Sequence, residues 1–140
     1  MPPSSPTPDT PSPGRDHWVL VVDDEAPVRT LLTEALGHFE CEVLAAATAE
    51  AGLEIIASRP TEPLLVLADV VMPGMDGLTF ARRLHERLRH GRIVLMSGHL
   101  ADTSWWPTDL RELAFLPKPF ALASLRLLVE EALLNYPATR

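Results

Sequence analysis

The chain has 140 residues, 46% of them hydrophobic, a single cysteine and a formal net charge of −7, which suits one domain with a sizeable core and is too short for two full ones. The negative charge and a pI near 5.1 argue against gripping a nucleic-acid backbone or an anionic membrane surface, and point instead to a possible cation requirement. Cys41 has no partner for an intrachain disulfide, no apolar run approaches the roughly 18–20 residues of a membrane span, and the opening lacks the cationic and apolar regions of a secretory signal, so the expectation is a cytoplasmic protein.

Residues 1–16, "MPPSSPTPDTPSPGRD", are rich in Pro, Ser and Thr without apolar periodicity, and read as a disordered tail. The domain is expected over residues 17–136, with a short C-terminal tail at 137–140. Within it the apolar runs "WVLVVD", "CEVLAA", "LLVLAD", "RIVLMS" and "AFLP" alternate with amphipathic stretches. The runs are nearly continuous in apolar character, as strands covered on both faces are, and the stretches between them supply the crossovers that parallel strands need. In the first helix Val28, Leu31, Leu32, Ala35, Leu36 and Phe39 form the expected core stripe, and Pro27 suits its first turn. Thr48 is the expected cap of the second helix. Leu78, Ala81, Leu84 and Leu88 give the third its inner face, and Leu125, Leu128, Val129 and Ala132 the last. Five strands and five helices make a doubly wound α/β sandwich with a parallel sheet.

In such a fold a ligand site lies outside the carboxyl ends of the strands. Asp23 and Asp24 follow the first strand, Asp69 the third, Ser97 the fourth and Lys118 the fifth. Any one of them alone reads as a turn former, a helix cap or a solvated side chain. Together they converge on one edge. Like charges about 4 Å apart repel by ~4 kcal/mol at an effective dielectric near 20, so the cluster calls for a cation, and oxygen ligands suit Mg²⁺. Lys118 neutralises it only in part. A calcium loop in "DVVMPGMDG" fails because Val71 and Pro73 stand where oxygen ligands are needed.

The acidic pair of "VLVVDDE", the Asp of "VLADVVMPGMDG", the hydroxyl of "VLMSG" and the Lys-Pro of "FLPKPF" together resemble the receiver domain of bacterial two-component response regulators, a flavodoxin-like fold, from about Trp18 to Leu134. "MSGH" and "FLPKPF" are especially similar to receivers attached to hybrid sensor histidine kinases. The resemblance implies that Asp69 is the phosphoacceptor, fed by a histidine kinase or a histidine phosphotransfer protein. It assigns Mg²⁺ to Asp24, Asp69 and the backbone carbonyl of Val71, with Asp23 acting mainly through water. Lys118 pairs with Asp69 and later with a phosphoryl oxygen, preceding a cis Lys118–Pro119 peptide. Ser97 is implied as the switch hydroxyl, and Gly98 leaves room for the donor. Phe115 has two readings, an aromatic that turns inward with the switch or plain core; as Phe rather than Tyr it lacks the hydroxyl that would favour an outward state.

On this resemblance the chain catalyses only its own Mg²⁺-dependent phosphorylation and dephosphorylation. It signals by conformational change to a downstream protein through the fourth helix, fifth strand and fifth helix, as a monomer or a weak dimer through that same face. It is either a complete single-domain regulator or a receiver from a larger kinase. The competing reading is a constitutive interaction module of the same fold that does not use phosphorylation. A phosphate-ester hydrolase lacks its second acid where Val71 sits. Pro107 should interrupt the fourth helix. The adjacent Trp105 and Trp106 cannot share one helical face, so either one of them meets solvent or a partner or they cover the gap left by a short helix.

Overall fold

The computed structural model describes residues 17–39, 41–98 and 113–136. Five strands and four helices are present among them: β1 Trp18–Val22, α1 Ala26–Gly37, β2 Glu42–Ala46, α2 Ala49–Ser58, β3 Leu65–Asp69, α3 Gly77–Arg87, β4 Arg92–Ser97, β5 Ala114–Pro117 and α4 Leu122–Asn135. The expected fourth of five helices, with Pro107, Trp105 and Trp106, lies outside the described residues, as do both tails.

The strands form one parallel sheet in the order β2-β1-β3-β4-β5. The chain steps outward from β1 to β2 and then returns past β1 to β3, which sets the topological switch point between β1 and β3. Alternate strand residues feed two cores. Leu20, Val22, Val66, Ala68, Ile93 and Leu95 meet Ile56 of α2 and Phe80, Ala81 and Leu84 of α3. Val19, Val21, Leu65, Leu67, Val94 and Met96 meet Leu32 and Leu36 of α1 and Leu125, Val129 and Ala132 of α4. Each fully buried Leu contributes about 1.5–3 kcal/mol relative to exposure, and the two cores together hold the strand ends in register.

Helix starts follow local side-chain chemistry. Thr48 Oγ1 accepts from Ala51 N–H at 3.1 Å and Asp76 Oδ1 from Thr79 N–H at 2.8 Å, each satisfying a donor with no intrahelical partner. In α1 one expectation fails: Leu31 is 56% exposed. The buried arc of that helix is Leu32, Ala35 and Leu36, and at 100° per residue Leu31 lies about 90° from its centre. Phe80, absent from the expected inner face of α3, is fully buried.

Candidate functional site at the carboxyl edge of the sheet

Asp23 follows β1 directly and is fully buried; its backbone N–H bonds the Ala46 carbonyl at 3.1 Å, tying the end of β1 to β2. Its Oδ1 accepts from Glu25 N–H at 2.9 Å, a turn that sends the chain into α1 and leaves Asp24 exposed beside it. Arg29, one turn into α1, donates to the Asp23 carbonyl oxygen at 2.6 Å. Asp69 closes β3, and its Oδ1 accepts from Val71 N–H at 3.2 Å. One oxygen from each of Asp23, Asp24 and Asp69 lies within 4.8 Å of the others.

Lys118 enters from the end of β5, where its N–H bonds the Ser97 carbonyl at 2.9 Å. Its ammonium donates to Asp69 Oδ2 at 2.9 Å and to Asp23 Oδ2 at 3.0 Å, with Glu25 at 3.7 Å. Burial pulls the lysine pKa down, but the hydrogen bonds to Asp69 and Asp23 and the charges of both outweigh it and hold the value above the ordinary 10.5. The Lys118–Pro119 peptide is cis. Ser97 is buried at 3% exposure, and with Gly98 it faces a cleft of about 340 Å³ whose other walls are Asp24, Glu25, Asp69, Val71 and Lys118. A Cβ added at Gly98 would meet nothing within 4 Å, so the cleft is open on that side. Phe115 is half-buried against the core that holds Phe80.

The loop after Asp69 is shaped by two glycines. Gly74 has φ +75, a left-handed conformation that a side chain would strain. At Gly77 a Cβ would stand 2.1 Å from the Asp69 carbonyl oxygen, so only hydrogen fits where α3 starts against β3. Glu50 of α2 braces this loop through Met75 N–H at 3.3 Å.

The five residues expected to converge, Asp23, Asp24, Asp69, Ser97 and Lys118, therefore do meet, with Val71 beside them and Phe115 one layer behind. The sequence reading passed over Arg29 and Glu50. Arg29 bonds a backbone carbonyl six residues back and Glu50 reaches across to another loop, and neither contact has a local signal in the sequence.

The family model for the response regulator receiver domain matches residues 19–130. The chain belongs to that family. Among relatives of this receiver, the sensor kinase CckA of Brucella abortus is 38% identical over 117 residues, covering 82% of this chain and 12% of that protein. The DNA-binding transcriptional regulator NtrC of Salmonella typhimurium is 34% identical over 121 residues, covering 84% and 25% respectively. The receiver thus spans a quarter or less of these two curated relatives. A solved structure of the response regulator TrrA from Thermotoga maritima in complex with Mg²⁺-BeF superposes with a TM-score of 0.72 at 27% identity, covering 83% of this chain and 98% of that one. The acidic pocket of this receiver fits a divalent metal by its donors: three carboxylates, all hard oxygen, with one lysine as their shared counter-charge. No helix among the described residues is long and apolar enough to cross a membrane.

Proposed function

We propose that this receiver accepts a phosphoryl group on Asp69 from the phosphohistidine of a histidine kinase or phosphotransfer protein and signals by changing conformation. The observation that carries this reading is Lys118 bridging Asp23 and Asp69 at 3.0 and 2.9 Å beside a cleft that also exposes Asp24 and borders Ser97. Asp23, Asp24 and Asp69 with the Val71 carbonyl would hold Mg²⁺, which when bound would supply positive charge to offset that of the carboxylates and the incoming phosphoryl group.

A carboxylate oxygen of Asp69 attacks phosphorus, the P–N bond to the donor imidazole breaks, and the imidazole nitrogen leaves with that electron pair. Lys118 holds Asp69 in place before the reaction and moves its hydrogen bond to a phosphoryl oxygen afterwards. Ser97 donates its hydroxyl hydrogen to another phosphoryl oxygen, and Gly98 leaves the donor's path clear. Phe115, partly buried against the core that contains Leu95, takes the role of transmitting that movement. The same residues catalyse hydrolysis of the aspartyl phosphate. A Mg²⁺-bearing complex of a relative with this fold supports the metal requirement.

The test is incubation with acetyl phosphate, with and without Mg²⁺, followed by intact mass measurement. One phosphoryl adduct is expected, only with Mg²⁺, and none on Asp69→Asn. Undiminished acid-labile labelling of that variant would move the site elsewhere.

A further inference from the structure

The chain is acidic, yet residues 82–92, "RRLHERLRHGR", hold five of its 12 Lys and Arg residues, two of its five His and only one acid, Glu86. Part of this charge converges. Where α3 ends and β4 begins, a cleft of about 300 Å³ is lined by His85, Arg89, His90 and Arg92 together with the partly exposed apolar residues Leu88 and Leu113. The cleft lies at the amino end of β4, whereas Ser97 ends that strand; five steps of about 3.3 Å put it roughly 17 Å from the acidic pocket.

The cationic rim is held in place. Glu62 accepts from the backbone N–H groups of Arg89, His90 and Gly91 at 2.8, 2.8 and 3.0 Å, which fixes the turn that displays Arg89 and His90. Arg92 reaches Glu131 of α4 at 3.3 Å through one terminal nitrogen, while its Nε is buried with no hydrogen-bond partner among the described residues. Arg89 and His90 are exposed.

We propose that this cleft docks an acidic, amphipathic segment of a partner protein, its carboxylates on Arg89, Arg92 and the two imidazoles and an apolar residue on Leu88 and Leu113. The apolar floor and the small number of converging cations suit a short peptide segment, while the net charge of −7 opposes a long polyanion such as nucleic acid.

Fluorescence anisotropy at moderate salt tests it, using a fluorescein-labelled peptide of roughly twelve residues of Glu and Leu, an all-Glu peptide of equal charge, and a single-stranded oligonucleotide of equal charge as competitor. Saturable binding of the Glu/Leu peptide is expected, weaker binding of the all-Glu peptide, and a loss of about tenfold on Arg89→Glu. Arg83→Glu makes the same charge change about 160° around α3 from His85 and should leave binding within about twofold. With the wild type shown by intact mass to carry no phosphoryl group, this result is read independently of the reactivity proposed for Asp69. Absence of saturable binding, equal weakening by Arg89→Glu and Arg83→Glu, or displacement by the oligonucleotide at lower concentration than by unlabelled peptide would each overturn the proposal.

Discussion

At the carboxyl edge of the sheet three aspartates crowd within 4.8 Å of one another around a single lysine, whereas at the amino edge one glutamate, Glu62, is met by three backbone N–H groups. Both are acidic, and both depend on residues distant in sequence. Glu62 has its lone pairs committed: burial pushes its pKa up, but the bonds from Arg89, His90 and Gly91 and the charge of His90 prevail and hold it below the ordinary 4.5. Asp24 and Asp69 keep oxygens facing a cleft, with fully buried Asp23 beside them and less counter-charge than the three need. An acid whose acceptors are filled by backbone builds structure; acids gathered without enough partners are kept for a ligand.

The largest difference between the edges should appear on removing Lys118. Lys118→Met leaves fully buried Asp23 without its cation, and we expect a loss of about 3 kcal/mol by urea denaturation without metal, with Mg²⁺ restoring a large part of it. In the wild type the lysine's pKa is raised, so its contribution is complete below pH 10.5 and disappears as pH rises through the raised value; the gap between wild type and variant should close only in that alkaline range. A gap that Mg²⁺ leaves unchanged would mean that lysine and metal do not serve the same charge.

At the opposite edge Glu62→Gln should cost about 1–2 kcal/mol at pH 7 and be insensitive to Mg²⁺. The folded-state pKa of Glu62 is lowered, so its stabilisation is present above 4.5 and lost as pH falls through the lower folded value. Denaturation midpoints of wild type and variant should therefore converge below pH 4.5; a constant difference across that range would assign the loss to packing instead.

The smallest effect, and the one of opposite sign, belongs to Asp24→Ala. Removing one exposed member of the aspartate cluster should stabilise the metal-free protein by up to about 1 kcal/mol through relieved repulsion. It should also remove most of the rise in Tm that Mg²⁺ gives the wild type. Equal Mg²⁺-induced shifts in the two proteins would exclude Asp24 as a ligand.

The carboxyl edge was legible because strand ends are: once "LLVLAD", "RIVLMS" and "AFLP" are read as parallel strands, topology brings Asp69, Ser97 and Lys118 together without any knowledge of side-chain geometry. Thr48 was legible for a similar reason, since capping is decided within three residues. Leu31 was misread because periodicity reports which residues share a stripe and says nothing of how wide an arc the neighbouring elements cover. Arg29 and Glu62 act on backbone groups, the first on a carbonyl six residues away and the second on amides 27 to 29 residues away, and backbone partners leave no mark in a sequence. The interruption of the fourth helix expected at Pro107 lies outside the described residues.

The hydrogen bond between Lys118 and Asp23 joins positions 95 residues apart, and β1 cannot be flanked on both sides until β3, whose Leu65 pairs with Val19, has been made. During synthesis from the amino terminus, the aspartates of the first and third strands are exposed to solvent long before their lysine leaves the ribosome. A nascent or prematurely terminated chain that stops short of the fifth strand carries the acids but not the ammonium that orders them. The arrival of the fifth strand is therefore what completes the cluster, and a product cut short before it lacks the Lys118 bonds to Asp23 and Asp69.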